Sequence, residues 1–162
     1  EKALLRALQV DPDNAQAHYH YSKVMFLKGE KDLAFQSAQL AIDNATPPDW
    51  KYVVWLGDLN ERDSKFAEAA AKFSVALVLL EEKLKFVSDG IKSEENELEV
   101  IETYTEVEII SDKNGIREVE VDKFRTDYKE APEEWHQMKA NYEKRIASLT
   151  KRKEWALKKA GS

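Results

Sequence analysis

The sequence predicts a mainly α fold, a solenoid fragment of helical hairpins followed by a C-terminal β-hairpin and one long helix. Three observations lead there. Apolar residues recur at three-and-four spacing over residues 1–88. Small residues and prolines in that stretch return after about 34 residues. Between Val100 and Phe124, β-branched residues cluster around an Asn-Gly turn signal. With 162 residues, no cysteine, and 43% hydrophobic beside 35% charged residues, the chain reads as soluble and strongly helical. Disulfides and cysteine-based zinc or redox chemistry are excluded.

The first element opens in mid-pattern. Leu4, Leu5, Ala7 and Leu8 fall on one helical face, and Pro12 ends the run. Residues 3–10 therefore read as the second helix of a hairpin whose first helix lies upstream. The next hairpin carries Ser22 at a close-approach position of its first helix, Gly29 in the turn, and Ala34 and Ala41 on its second. In the third, Leu56-Gly57, Phe66, Ala69, Phe73 and Ala76 follow the same order after one extra residue in Thr46-Pro47-Pro48.

These residues and their period resemble the tetratricopeptide repeat (TPR) family. The resemblance covers about residues 1–82, as a partial repeat 1–14, a repeat 15–48 and a repeat 49–82. His18, Tyr21, Ala38 and Asn60 depart from it, standing where a Trp, a Leu, an aromatic residue and a Tyr are usual. It implies antiparallel helices in close contact through Ser22 with Ala34 and Gly57 with Ala69. It also implies a concave face, lined by the first helix of each repeat, that binds partner proteins.

Beyond the third hairpin, Ala76, Leu77, Leu80, Leu84 and Val87 continue the apolar pattern where a proline would be usual. One helix is expected from about Lys65 to Ser88, with Gly90 closing it. Residues 89–99 read as an acidic linker and 100–125 as the β-hairpin. A register placing Val107 and Ile109 opposite Val121 and Val119 would give that hairpin one apolar face, although a one-residue slip also fits. Pro132 then suits the first position of a helix, and Glu133 and Glu134 suit its positive end. Trp135, Met138, Tyr142, Ile146, Leu149 and Ala156 make an apolar stripe along 132–160, with bases gathered toward the end.

The net charge of −6 is unevenly spread. From Asp89 to Glu108 eight acids face Lys92 alone, while Lys139, Lys144, Arg145, Lys151, Arg152, Lys153, Lys158 and Lys159 dominate the last helix. Such blocks attract each other or a partner. The basic tail has one interleaved aromatic, Trp155, too few for a base-stacking platform, so nucleic acid is disfavoured as a partner. No apolar run approaches a membrane span. No signal peptide is visible, but because the start reads as truncated this says little about localisation; the compartment stays open, with a lean to the cytoplasm.

Signs of catalysis are missing from the sequence. His18 and His20 sit two apart on a helix and diverge, His136 is isolated, and no metal-ligand spacing occurs. Asp11-Pro12-Asp13-Asn14 lacks the glycine and terminal Glu of a calcium loop. No nucleophile elbow, phosphate loop or dinucleotide fingerprint is present. No enzyme, metal or cofactor is expected. Asn44-Ala45-Thr46 is a glycosylation triplet that matters only in a secreted protein.

By template position the concave face would present Gln16, Tyr19, Lys23 and Phe26 from one repeat and Lys51, Val54, Asp58 and Glu61 from the next. The family's chaperone-tail binders grip a C-terminal carboxylate through a basic clamp. Lys51 matches one clamp position, but Tyr19, His20, Lys23 and Trp55 occupy others, which disfavours that ligand. Tyr19 and Phe26 point to a partner segment with apolar anchors, and Phe26 is equally placed to belong to the core. The expected function is a non-enzymatic adaptor or assembly scaffold binding a protein or peptide. Alternatives are an accessory domain of a larger enzyme and self-association through Val107, Ile109, Val119 and Val121 of the hairpin.

Overall fold

The computed structural model describes residues 2–96, 98–112, 115–128 and 130–161, with only the backbone described over 98–112 and 115–128. Six helices run in chain order among the described residues: α1 (Lys2–Val10), α2 (Ala15–Leu27), α3 (Lys31–Asp43), α4 (Trp50–Arg62), α5 (Phe66–Glu95) and α6 (Glu133–Ala160). The chain divides into two compact units, Glu1–Lys85 with Ala140–Ser162, and Phe86–Lys139. None of the described helices is long and apolar enough to cross a membrane.

In the first unit, local chemistry sets the helix ends. Asn14 starts α2 by accepting a hydrogen bond from the Ala17 amide at 2.8 Å, and Asp49 starts α4 by accepting one from the Lys51 amide at 2.9 Å. Gly29, at φ 82°, turns α2 into α3, and Ser64, at φ 60°, turns α4 into α5. The starts of α2 and α4 lie 35 residues apart, as do those of α3 and α5 and the two left-handed turn residues.

Small residues set the depth of packing. Ser22 is fully buried and donates its hydroxyl to the Ala34 carbonyl at 2.6 Å, joining α2 to α3. At the matching place in α4, a Cβ added to Gly57 would stand 2.4 Å from Phe73 Cε1. Only glycine admits that ring, which is wholly buried. One core cluster joins Met25, Ala34, Ala38, Leu56 and Leu59; a second joins Val53, Ala69, Phe73, Ala76, Leu77, Leu80 and Leu149. Leu149 brings α6 into the core, and Tyr142 and Ile146 pack beside it.

In the second unit, Val87 and Ile91 of α5 are buried, as is Ala131 just before α6. Gly90 does not close α5, which continues to Glu95, so the expected acidic linker is partly helix. Its role is contact: a Cβ there would meet Trp135 Cζ3 at 2.4 Å. Pro132 lies one residue before α6, where its carbonyl accepts from the Trp135 amide at 2.9 Å.

The expected C-terminal hairpin requires correction. Where side chains are described the chain has helices and no strand, so the mainly α class holds and the compact apolar-faced hairpin expected over 100–125 is not found. The backbone there runs as two longer antiparallel segments, β1 (Leu98–Asp112) and β2 (Gly115–Tyr128), with a register shift between Val100 and Glu102. Val107 pairs with Glu120 and Ile109 with Glu118, while Val119 and Val121 pair with Glu108 and Glu106. This register is one residue from the apolar match, so each of the four lies opposite an acid. Lys113 and Asn114 of the expected turn lie outside the described residues.

Candidate functional site

The first unit places α2, α4 and the part of α6 from Ala140 onward along one groove. Its central recess, about 360 Å³, has Tyr19 and Lys23 of α2 on one wall and Arg145 of α6 on another, with Trp50, Lys51, Val54, Trp55 and Asp58 of α4 between them. Five of the eight residues expected on the concave face therefore meet: Tyr19, Lys23, Lys51, Val54 and Asp58.

The other three differ. Gln16 lines a wider adjoining cleft of about 600 Å³, with Asp11, Asp13, Asp49, Lys83 and Tyr142. Phe26 is half-buried against the first core cluster, edge-on to Trp55 at 5.9 Å between centroids. Glu61 is engaged within the chain, accepting from Arg152 at 2.6 Å. Val107, Ile109, Val119 and Val121 lie where only the backbone is described.

Aromatic rings order the recess. Tyr19 and Tyr52 stand 4.9 Å apart, and Lys23 donates to the Tyr19 hydroxyl at 2.6 Å while lying 4.1 Å from that ring's centroid. Trp55 donates its indole N–H to the buried Ser22 hydroxyl at 2.7 Å, so one serine fixes both the α2–α3 contact and the orientation of a groove wall. Trp50 has two cations near its ring, Arg145 at 5.0 Å and Lys51 at 5.9 Å. Both distances lie within cation–π range.

Asp58 is tied down by α6. Arg152 donates to Asp58 at 2.7 Å and to Glu61, and its guanidinium lies 4.6 Å from the centre of the Phe73 ring. Burial raises the Asp58 pKa, an effect that Arg152 only partly offsets. Burial works against the charge of Arg152, but its hydrogen bonds to Glu61 and Asp58 outweigh it and the net shift is upward. The Tyr52 pKa is raised by burial first, then by Asp49 and Tyr19.

Among the described residues no group of three histidines or acids is placed to hold a metal ion. His18 is buried, its Nε2 bonded to the Pro12 carbonyl at 2.8 Å. Its Nδ1 is buried without a partner, which marks a structural histidine under the α1–α2 turn.

Trp50, Arg145 and Arg152 complete the groove but escape a reading of the repeats alone. A signal existed in α6: Arg145, Leu149 and Arg152 stand at i, i+4 and i+7, one face of a helix. Compared with protein-family models and with curated proteins, the chain matches none.

Proposed function

We propose that this chain is a non-enzymatic adaptor of TPR type that binds a segment of a partner protein in the groove formed by α2, α4 and α6. The observation that carries this reading is the recess itself. It gathers Tyr19, Trp50, Trp55 and Arg145, residue types that anchor protein contacts, with Lys23 and Lys51 adding charge beside them. The 35-residue recurrence of helix starts, left-handed turns and small buried contacts supports the repeat assignment. The seat of α6 beside α4 supports its role as the last wall of the groove.

Photocrosslinking tests the reading. A benzophenone side chain at Tyr19, inside the groove, and one at the exposed Val75 on α5 are compared in lysate of the source cells. A partner labelled from Tyr19 but not from Val75, and lost in the folded Lys51→Glu/Trp55→Ala variant, is the expected outcome. Equal labelling from both sites would place the working surface elsewhere.

A further inference from the structure

The recess has an imbalance of charge that partner binding in general does not require. Lys23, Lys51 and Arg145 line it from three different helices, and among the described residues none of them has a carboxylate partner. Its single lining acid, Asp58, is already engaged by Arg152. The chain as a whole is acidic, at −6, so this concentration of cations is local. The acids of the adjoining cleft, Asp11, Asp13 and Asp49, lie toward the starts of α2 and α4, and Lys83 is there with them.

Gathering like charges in a concave site is unfavourable unless something anionic enters. The cations are held against aromatic rings: Lys23 lies 4.1 Å from the Tyr19 centroid and 5.4 Å from that of Trp55, while Arg145 and Lys51 share Trp50. The Lys23 ammonium spends one of its three donors on Tyr19 and keeps two. Between the charges, Val54, Trp55 and the ring of Trp50 offer apolar surface.

We infer that the partner segment is an internal, extended stretch in which Asp or Glu side chains alternate with apolar ones, the carboxylates meeting Lys23, Lys51 and Arg145 and the apolar residues lying on Trp50 and Trp55. This rests on the groove reading above and adds the chemistry of the ligand. Because the cations are distributed over three walls and not joined into one clamp, the ligand needs no free C-terminal carboxylate.

The test is selection from an unbiased random peptide library displayed internally on phage, panned on the wild-type protein and counted against a Lys51→Glu/Arg145→Glu variant. Both substituted residues are exposed, and circular dichroism with a thermal melt verifies the variant's fold. A second variant, Lys23→Gln, repeats the comparison with a neutral change on α2.

The expected result is enrichment of peptides alternating acidic and apolar residues. The consensus peptide, synthesised with an amidated C-terminus, should lose about tenfold or more in affinity for the double variant, equivalent to about 1.4 kcal/mol. It should also weaken as salt rises. Enrichment of basic or purely apolar peptides that still depend on the groove would overturn the acidic ligand while leaving the groove reading in place. The same selection is run with a library displayed at a free C-terminus, and groove-dependent peptides found only there, or a consensus peptide that binds about tenfold or more tighter as the free acid than as the amide, would likewise overturn it while leaving the groove reading in place. Absence of any groove-dependent peptide would overturn both.

Discussion

At the scale of single residues, a few small side chains carry disproportionate weight. Gly57→Ala should gain about 1 kcal/mol of helix propensity yet lose more by driving a methyl into the buried Phe73 ring, 2.4 Å away. A net destabilisation of about 1–3 kcal/mol in urea unfolding is expected. Ser64→Gly should act oppositely. Ser64 is a non-glycine residue at φ 60°, where Gly29 serves the preceding hairpin, and relief of the left-handed conformation should raise stability by about 0.5–1 kcal/mol in the same assay. Ser22 is easy to read as small and hard to read as polar. Its spacing marks the close approach to Ala34, but nothing in the sequence shows that its hydroxyl also receives the Trp55 indole from another helix.

At the scale of elements, two ion-paired contacts hold helices to their neighbours. Asp63, in the α4–α5 turn, accepts hydrogen bonds from Lys65 and from Lys31 of α3, and these lower its pKa from the usual 3.8 to about 2. A folded value below the unfolded one means that the contact stabilises above the ordinary carboxylate range and is lost as pH falls through about 2. Unfolding curves should therefore show a loss of stability between about pH 4 and pH 2 that is smaller in Asp63→Asn. Arg152 plays the comparable part for α6. Arg152→Ala should cost about 1–2 kcal/mol, since two charge-assisted hydrogen bonds are lost but all three side chains are partly solvated. Amide exchange in the last turns of α6 should quicken with it. The helices themselves were legible, because three-and-four spacing is a local signal, whereas the Asn14 and Asp49 caps emerged only with the structure. The end of α5 was not: Gly90 looks like a helix stop until Trp135 is seen against it.

At the scale of the whole molecule, the groove joins residues far apart in the chain. Tyr19, Trp50 and Arg145 come from three helices, and the third owes its place to Leu149 in the core. Leu149→Ala should thus destabilise by about 2–5 kcal/mol and also weaken ligand binding at temperatures where the rest of the unit stays folded. Thermal melts paired with binding titrations of the same variant would measure both.

The sequence by itself determined which stretches are helical, the turn at Gly29 and which residues are small enough for close contact. Those properties depend on neighbours within a turn or two and on a repeat visible as spacing. It also placed Tyr19, Lys23, Lys51, Val54 and Asp58 on related helix faces, because a repeated hairpin repeats its faces. Only the tertiary structure decided that α6 supplies a third wall and that Arg152 occupies Asp58 and Glu61. Only the backbone pairing decided the register of β1 and β2, where a shift of one residue exchanges every partner. Periodicity specifies a helix and its faces, whereas the choice between packings of those faces rests on side-chain contacts between residues as distant as Asp58 and Arg152.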